Sequence, residues 1–220
     1  MKRSQKLSCL FAFVLFFGSS NQSFSQTIKD FFTNNSTNLT YLGIDYTKNK
    51  LINDPGGNAS DIKGRLYNSM NEVVVNEMGK NYNITGAFSR SNAVVSDIGA
   101  VTEKNEKINV SDIISSNTSD FNRLKESDIA ACVNALNLKG KEGVGLVFIM
   151  EGMKKEEKKS YGTVWVTLID MKTKKVLITE RMEQEAAGFG FRNFWVSIIK
   201  KSIIEVNKKA YKSWRNKYGS

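Results

Sequence analysis

The segment that decides the fold is Gly143-Val-Gly-Leu-Val-Phe-Ile-Met150, followed by Tyr161-Gly-Thr-Val-Trp-Val-Thr-Leu-Ile169, Val176 to Met182, and Gly188-Phe-Gly-Phe-Arg-Asn-Phe-Trp195. The first run, from Gly145 to Met150, is continuously apolar, as expected of a strand covered on both faces. The second alternates, with Val164, Val166 and Leu168 opposed to Thr163, Trp165 and Thr167, the two-residue period of a strand. Lys154 to Lys159 is a mixed-charge hairpin tip, and Asp170-Met-Lys-Thr-Lys174 a tight turn into the third strand. Gly188 and Gly190 then break the pattern. From Phe191 onwards, Trp195, Ile199, Ile203, Val206, Ala210 and Trp214 fall on one helical stripe. Lysines 200, 201, 208, 209 and 212, with Arg215, occupy the opposite face and the last turns. The segment is thus a three-stranded antiparallel meander closed by a long C-terminal helix.

Working outward, Leu39 to Tyr46 reads as a first strand and Asp54-Pro-Gly-Gly-Asn58 as a turn. Asn58 or Ser60 can cap a helix over 60–79, whose Ile62, Leu66, Met70, Val73, Val74 and Met78 repeat at helical spacing. Tyr82 to Phe88 suggests a short second strand. Residues 89–125 read as a long irregular segment with short helical turns, and 128–137 as a helix begun by Ser127-Asp128. Residues 27–38 are a polar entry segment in which Phe31-Phe32 tuck onto the domain. The expected class is α+β: a mixed sheet in the order β-α-β-(α)-β-β-β-α, with helices mainly on one face.

The N-terminus has the pattern of an export signal. Lys2, Arg3 and Lys6 precede the apolar run Leu10–Phe17, and Ser23-Phe24-Ser25 offers a small-x-small cleavage site before Gln26. The expectation is a signal peptide over 1–25 and one exported domain over 26–220, periplasmic or secreted to the cell surface, with no transmembrane span after cleavage. Cys9 lies before the apolar run, where a lipidation site has no leader upstream of it. Without the leader, the net charge falls from +10 to +7 and Cys132 is the one remaining cysteine, so no intrachain disulfide can form. In its apolar run, Ile129 to Leu136, Cys132 reads as a buried structural thiol.

The sequence contains no histidine. That excludes Ser-His-Asp and Cys-His catalysis and histidine metal sites, and the single cysteine left after the leader excludes thiolate zinc and iron–sulfur centres. No phosphate loop follows Gly140, Gly143 and Gly145, and Gly188-Phe-Gly190 lacks the third glycine of a dinucleotide fingerprint. No cofactor is expected. Two candidate sites are left. One is an aromatic interaction patch of Phe189, Phe191, Arg192, Phe194 and Trp195 at the glycine junction. The other is the acid cluster Glu180, Glu183 and Glu185, because paired carboxylates can hydrolyse without histidine. The basic surplus admits attraction to anionic material as well as plain solvation of the helix. Nucleic acid is not an expected partner, since no basic-aromatic motif is present.

The Val-Trp-Val-Thr strand at 164–167, the Asp-x-Lys-Thr turn at 170–173 and Gly-Phe-Gly-Phe-Arg-Asn-Phe-Trp at 188–195 resemble uncharacterised exported proteins of Bacteroidetes-type bacteria. More remotely, the order of elements is similar to periplasmic α/β domains of the TolB N-terminal and penicillin-binding-protein-activator type. The resemblance implies an envelope location and a binding or scaffolding role, and brings no functional residues. In such a chain the Asn-x-Ser/Thr triplets at Asn35, Asn38, Asn58, Asn83 and Asn109 are composition rather than glycosylation sites. The expected function is a non-enzymatic exported domain binding a protein or an anionic envelope component. The alternative is a carboxylate-dependent hydrolase of a cell-envelope polymer.

Overall fold

The computed structural model describes residues 20–219. Residues 1–19 of the expected leader lie outside the described residues. In chain order the elements are α1 (Ser20–Thr33), β1 (Leu39–Asp45), β2 (Lys50–Ile52), α2 (Ala59–Asp61), α3 (Tyr67–Asn76), α4 (Ile84–Ala87), β3 (Val95–Ser96) and α5 (Gly99–Asn105). They continue with β4 (Ile114–Ser115), α6 (Glu126–Asn134), β5 (Val144–Lys155), β6 (Ser160–Asp170), β7 (Lys175–Glu185), α7 (Phe191–Glu205) and α8 (Tyr211–Tyr218). A π turn at Ile62–Leu66 joins α2 to α3, and another at Val206–Ala210 joins α7 to α8, so each pair is one continuous helix.

The long strand β5 organises the sheet. Along one edge it pairs antiparallel with β6, which pairs antiparallel with β7. Its other edge is shared end to end by two parallel strands, β1 from Leu39↔Val144 to Asp45↔Ile149 and β2 from Lys50↔Gly152 to Ile52↔Lys154. Beyond them, β3 lies parallel to β1 and β4 parallel to β2. The sheet is therefore mixed, with the meander and its closing helix as expected. Register slips between Met150 and Gly152, so Glu151 sits in a β-bulge where β1 gives way to β2.

The larger core lies on one face of the sheet, where α1, α3, α7 and α8 pack against Leu146, Phe148, Met150, Val164, Val166 and Leu168. Trp195, Ile199, Ile203, Val206, Ala210 and Trp214 are all buried there. A smaller cluster covers the opposite face, where α5 and α6 place Val101, Ile129, Cys132 and Val133 over Val147, Ile149, Trp165 and Ile169. This second layer explains why Trp165, on the polar-looking side of its strand, is buried.

Three expectations need correcting. The segment Tyr82–Phe88 is helical, not a strand: Asn83 Oδ1 accepts from the Gly86 amide at 2.8 Å and α4 follows. Ile84, Ala87 and Phe88 are buried at helical spacing, which a short apolar run does not distinguish from alternation. Within 89–125, α5 packs its Ala100 and Val101 onto the sheet instead of looping out. Residues 27–33 of the entry segment are the end of α1 rather than irregular chain, while Phe31 and Phe32, at 0% exposure, tuck into the core as expected. The expected Asn58 cap is present, its Oδ1 accepting from Asp61 N at 3.1 Å.

Two buried asparagines complete the edge of β1 beyond β3. Asn71, on α3, accepts from Ile44 N at 2.7 Å and donates to Ile44 O at 3.2 Å. Asn105, on α5, accepts from Tyr46 N at 2.8 Å and donates to Ile44 O at 2.9 Å. The two side-chain amides stand in for a neighbouring strand, satisfying backbone groups that would otherwise be buried unpaired.

Candidate functional site

A groove runs along the end of the sheet where the parallel strands β2 and β4 finish, the end at which open α/β sheets place ligands. Three adjoining concavities form it. The first, about 560 Å³, lies between Asn53–Pro55 and Ile114–Ser116. The second, about 310 Å³, shares Asp54 with the first and is walled by Lys155, Phe191, Phe194 and Trp195. The third, about 370 Å³, shares Gly190 and Phe191 with the second and continues over Arg65, Leu66 and Ser69 to Phe189 and Arg192.

Local chemistry shapes each wall. Asn53 adopts a left-handed conformation (φ 57°) at the end of β2, turning the chain into Asp54-Pro-Gly-Gly-Asn58. Asp54 is buried at 4% exposure, where its carboxylate accepts from Lys155 Nζ at 2.9 Å and from Gly56 N at 3.2 Å. That pair ties the loop to β5. On the far wall, Arg65 forks onto Asp61 one helical turn earlier, at 2.9 and 2.8 Å. Arg65 and Leu66 belong to the π turn, which re-aims side chains out of the regular helical pattern.

The glycine junction makes the rim. Gly188 (φ 125°) and Gly190 (φ 74°) hold conformations that side chains disfavour, and between them Phe189 is 94% exposed. Ala187 N donates to Ser197 Oγ at 2.9 Å, which fastens the junction to the first turns of α7. Phe194 meets Trp195 edge-on at 5.0 Å between centroids, and Phe191 meets it at 6.3 Å. Trp195 itself is 1% exposed. Of the aromatic patch, Trp195 is thus a buried support, Phe191 and Phe194 are half-buried walls, and Phe189 is the exposed tip. Arg192 is exposed, donates to Asn193 Oδ1 at 3.0 Å, and has no carboxylate within ion-pair distance among the described residues.

The three acids are not brought together. Glu180 shares the face of β7 that carries Ile178 and Met182, and accepts from Trp214 Nε1 at 2.6 Å. Glu183 and Glu185 lie at odd positions on the other face, where Glu185 is paired with Lys159 at 3.1 Å. None of them lines the three concavities. Two carboxyls facing across a cleft, as polymer hydrolysis needs, are not formed by this set. Among the described residues, no three His, Cys, Asp or Glu side chains gather as a metal would require. Burial raises the Cys132 thiol above its ordinary range, with the nearby Asp45 carboxylate adding to the effect.

The loop Asn53–Gly57, Lys155, Ile114 and the Arg65–Leu66 wall carried no site signal in the sequence beyond the turn itself. Their convergence depends on β1 and β2 lying end to end on β5, which is a long-range pairing.

No family model matches the chain, and no curated protein matches it either. The resemblances to exported Bacteroidetes-type and TolB-like domains therefore gain no support from these comparisons. Among solved structures, the chain is similar to the crystal structure of a lipoprotein from Neisseria meningitidis, with 13% identity over 77% of this chain and 96% of that one, and a TM-score of 0.28. That degree of superposition establishes no common fold, and nothing about function follows from it. No described helix is long and apolar enough to cross a membrane.

Proposed function

We propose that the protein is a non-enzymatic exported binding domain whose groove receives a segment of a partner protein in the bacterial envelope. The observation that carries this reading is Phe189, 94% exposed on a junction held by two glycines at the rim of an aromatic-walled groove. A large apolar side chain left outside the core is a typical anchor for a partner's pocket. Phe191 and Phe194 continue the apolar wall, and Arg192, with no carboxylate partner among the described residues, adds a donor for a carboxylate or backbone carbonyl. Export rests on the basic and apolar pattern of residues 1–25.

The test replaces Phe189 by a photoreactive phenylalanine analogue and cross-links in the native envelope. A discrete adduct with one protein is expected, and Phe189→Ala and Arg192→Ala should each weaken capture of that protein at least about tenfold. Capture that is indifferent to both substitutions would remove the groove from consideration. So would turnover of an envelope polymer that Glu183→Gln abolishes.

A further inference from the structure

Charge is distributed very unevenly along the chain. Residues 26–185 contain 21 basic and 21 acidic side chains, whereas residues 186–220 contain eight basic residues and one acid, Glu205. The whole +7 surplus of the exported chain therefore resides in its last 35 residues. The structure collects most of it on the outer face of the α7–α8 helix, opposite the buried stripe of Ile199, Ile203, Val206 and Trp214.

Helix stabilisation does not account for this row. Favourable interaction with the helix dipole is confined to the last turn, which covers Arg215 and Lys217 and leaves Lys200, Lys201, Lys208 and Lys209 unexplained. Lys208 and Lys212 are like charges one turn apart, an arrangement that destabilises a helix. Nor do acids compensate. Lys208, Lys209, Lys212 and Arg215 have no carboxylate within ion-pair distance among the described residues. Among the described residues, Lys200 reaches only Asn81 Oδ1, at 3.2 Å, and Lys201 only the Glu185 carbonyl, at 2.6 Å. Glu205 is engaged by the Gln184 amide.

We infer that the outer face of α7–α8 docks the domain on an anionic lipid bilayer. From Lys200 to Arg215 the row extends about 22 Å along a helix. It lies on the outside of the fold and not in a cleft, so a planar array of headgroups can meet every cation at once. Ile204, 41% exposed, sits one turn from both Lys200 and Lys208 and places an apolar group among the cations at headgroup depth. A single-stranded nucleic acid would call for exposed aromatics to stack its bases, and this face offers none. The groove residues of α7 precede the row, so lipid contact and groove occupancy use different side chains.

Cosedimentation of the exported chain with vesicles tests this. Binding is expected to phosphatidylcholine–phosphatidylglycerol vesicles and not to pure phosphatidylcholine, and it should fall steeply as salt is raised. With each basic residue near the surface contributing roughly fivefold, the triple variant Lys208→Gln, Lys212→Gln, Arg215→Gln should bind roughly a hundredfold more weakly. A control with the same loss of charge elsewhere, Lys80→Gln, Lys139→Gln, Lys158→Gln, should retain most of the binding. Melting temperatures of both variants, compared with the parent, show that the fold is intact, since all six side chains are exposed. Equal binding to neutral vesicles would overturn the inference. So would equal loss in the two triple variants, or binding to a soluble polyanion with none to vesicles.

Discussion

Arg181 Nε lies 2.9 Å from Glu151 Oε2, joining β7 to β5 across the intervening strand β6, and the glutamate side chain is entirely buried. Trp165 Nε1 donates to the same oxygen at 3.0 Å, and the backbone amides of Arg123 and Leu124 donate to Oε1 at 2.6 and 2.7 Å. All four donors converge on the bulge residue, so the carboxylate fastens the 118–125 segment onto the sheet.

Removing that carboxylate should be costly. Glu151→Ala takes the carboxylate from a partly buried guanidinium, which keeps only its bond to the Phe121 carbonyl, leaves an indole N–H and two amides unpaired, and is expected to destabilise the fold by about 3–5 kcal/mol. Glu151→Gln keeps one acceptor oxygen but turns an N–H₂ toward donors, for about 2 kcal/mol. Urea midpoints at constant slope measure both. A change below about 0.5 kcal/mol in either would show that the network contributes little.

A steric prediction concerns Gly162. A Cβ placed there would lie 2.7 Å from Ile198 Cγ1 and 3.0 Å from its Cδ1. Gly162→Ala should therefore cost about 1–3 kcal/mol through overpacking between β6 and α7. Combining it with Ile198→Ala opens the space, and the double variant should be more stable than the sum of single effects predicts by about 1 kcal/mol. Strict additivity in a double-mutant cycle would refute the contact.

Stability should fail on the alkaline side. Burial raises the phenol pKa of Tyr82 to about 12, the nearby Glu77 carboxylate adding to the rise, and it pushes Tyr41, Tyr46 and Tyr67 well above their ordinary value. A phenol whose pKa is higher in the folded state contributes fully below its unfolded value of about 10 and loses that contribution as pH rises toward the folded value. The urea midpoint should thus fall steeply above about pH 10. Phenolate absorbance of these four tyrosines should appear together with unfolding, and gradual titration of the folded protein would contradict their burial.

Phe189→Ala provides the opposite case. The side chain is 94% exposed and contributes to no core, so stability should change by less than about 0.5 kcal/mol while partner capture is lost. A large drop in melting temperature would assign Phe189 a structural role.

Much of this architecture was legible locally. The meander, the closing helix and the Asn58 cap declare themselves through two-residue alternation, the stripe from Trp195 to Trp214, and one turn chemistry. Such signals come from neighbours within one or two turns of chain. The same locality explains the errors. Tyr82–Phe88 is too short for its period to separate strand from helix, and α5 has only seven residues, two of its buried ones apolar. Glu180, Glu183 and Glu185 look like a cluster when written in a row, yet the pleat sends Glu180 to the face opposite Glu183 and Glu185.

By itself, then, the sequence determined the class of fold, the absence of histidine chemistry, the exposed position of the cationic helix face, and the glycine junction that carries Phe189. Only the tertiary structure decided that β1 and β2 share one edge of β5, that Asn71 and Asn105 complete the β1 edge, and that Asp54, Lys155, Phe191 and Leu66 face a common groove. Periodicity reports which side of an element meets apolar surroundings. It is silent on which distant element supplies them, because that choice is made by the packing of the whole core.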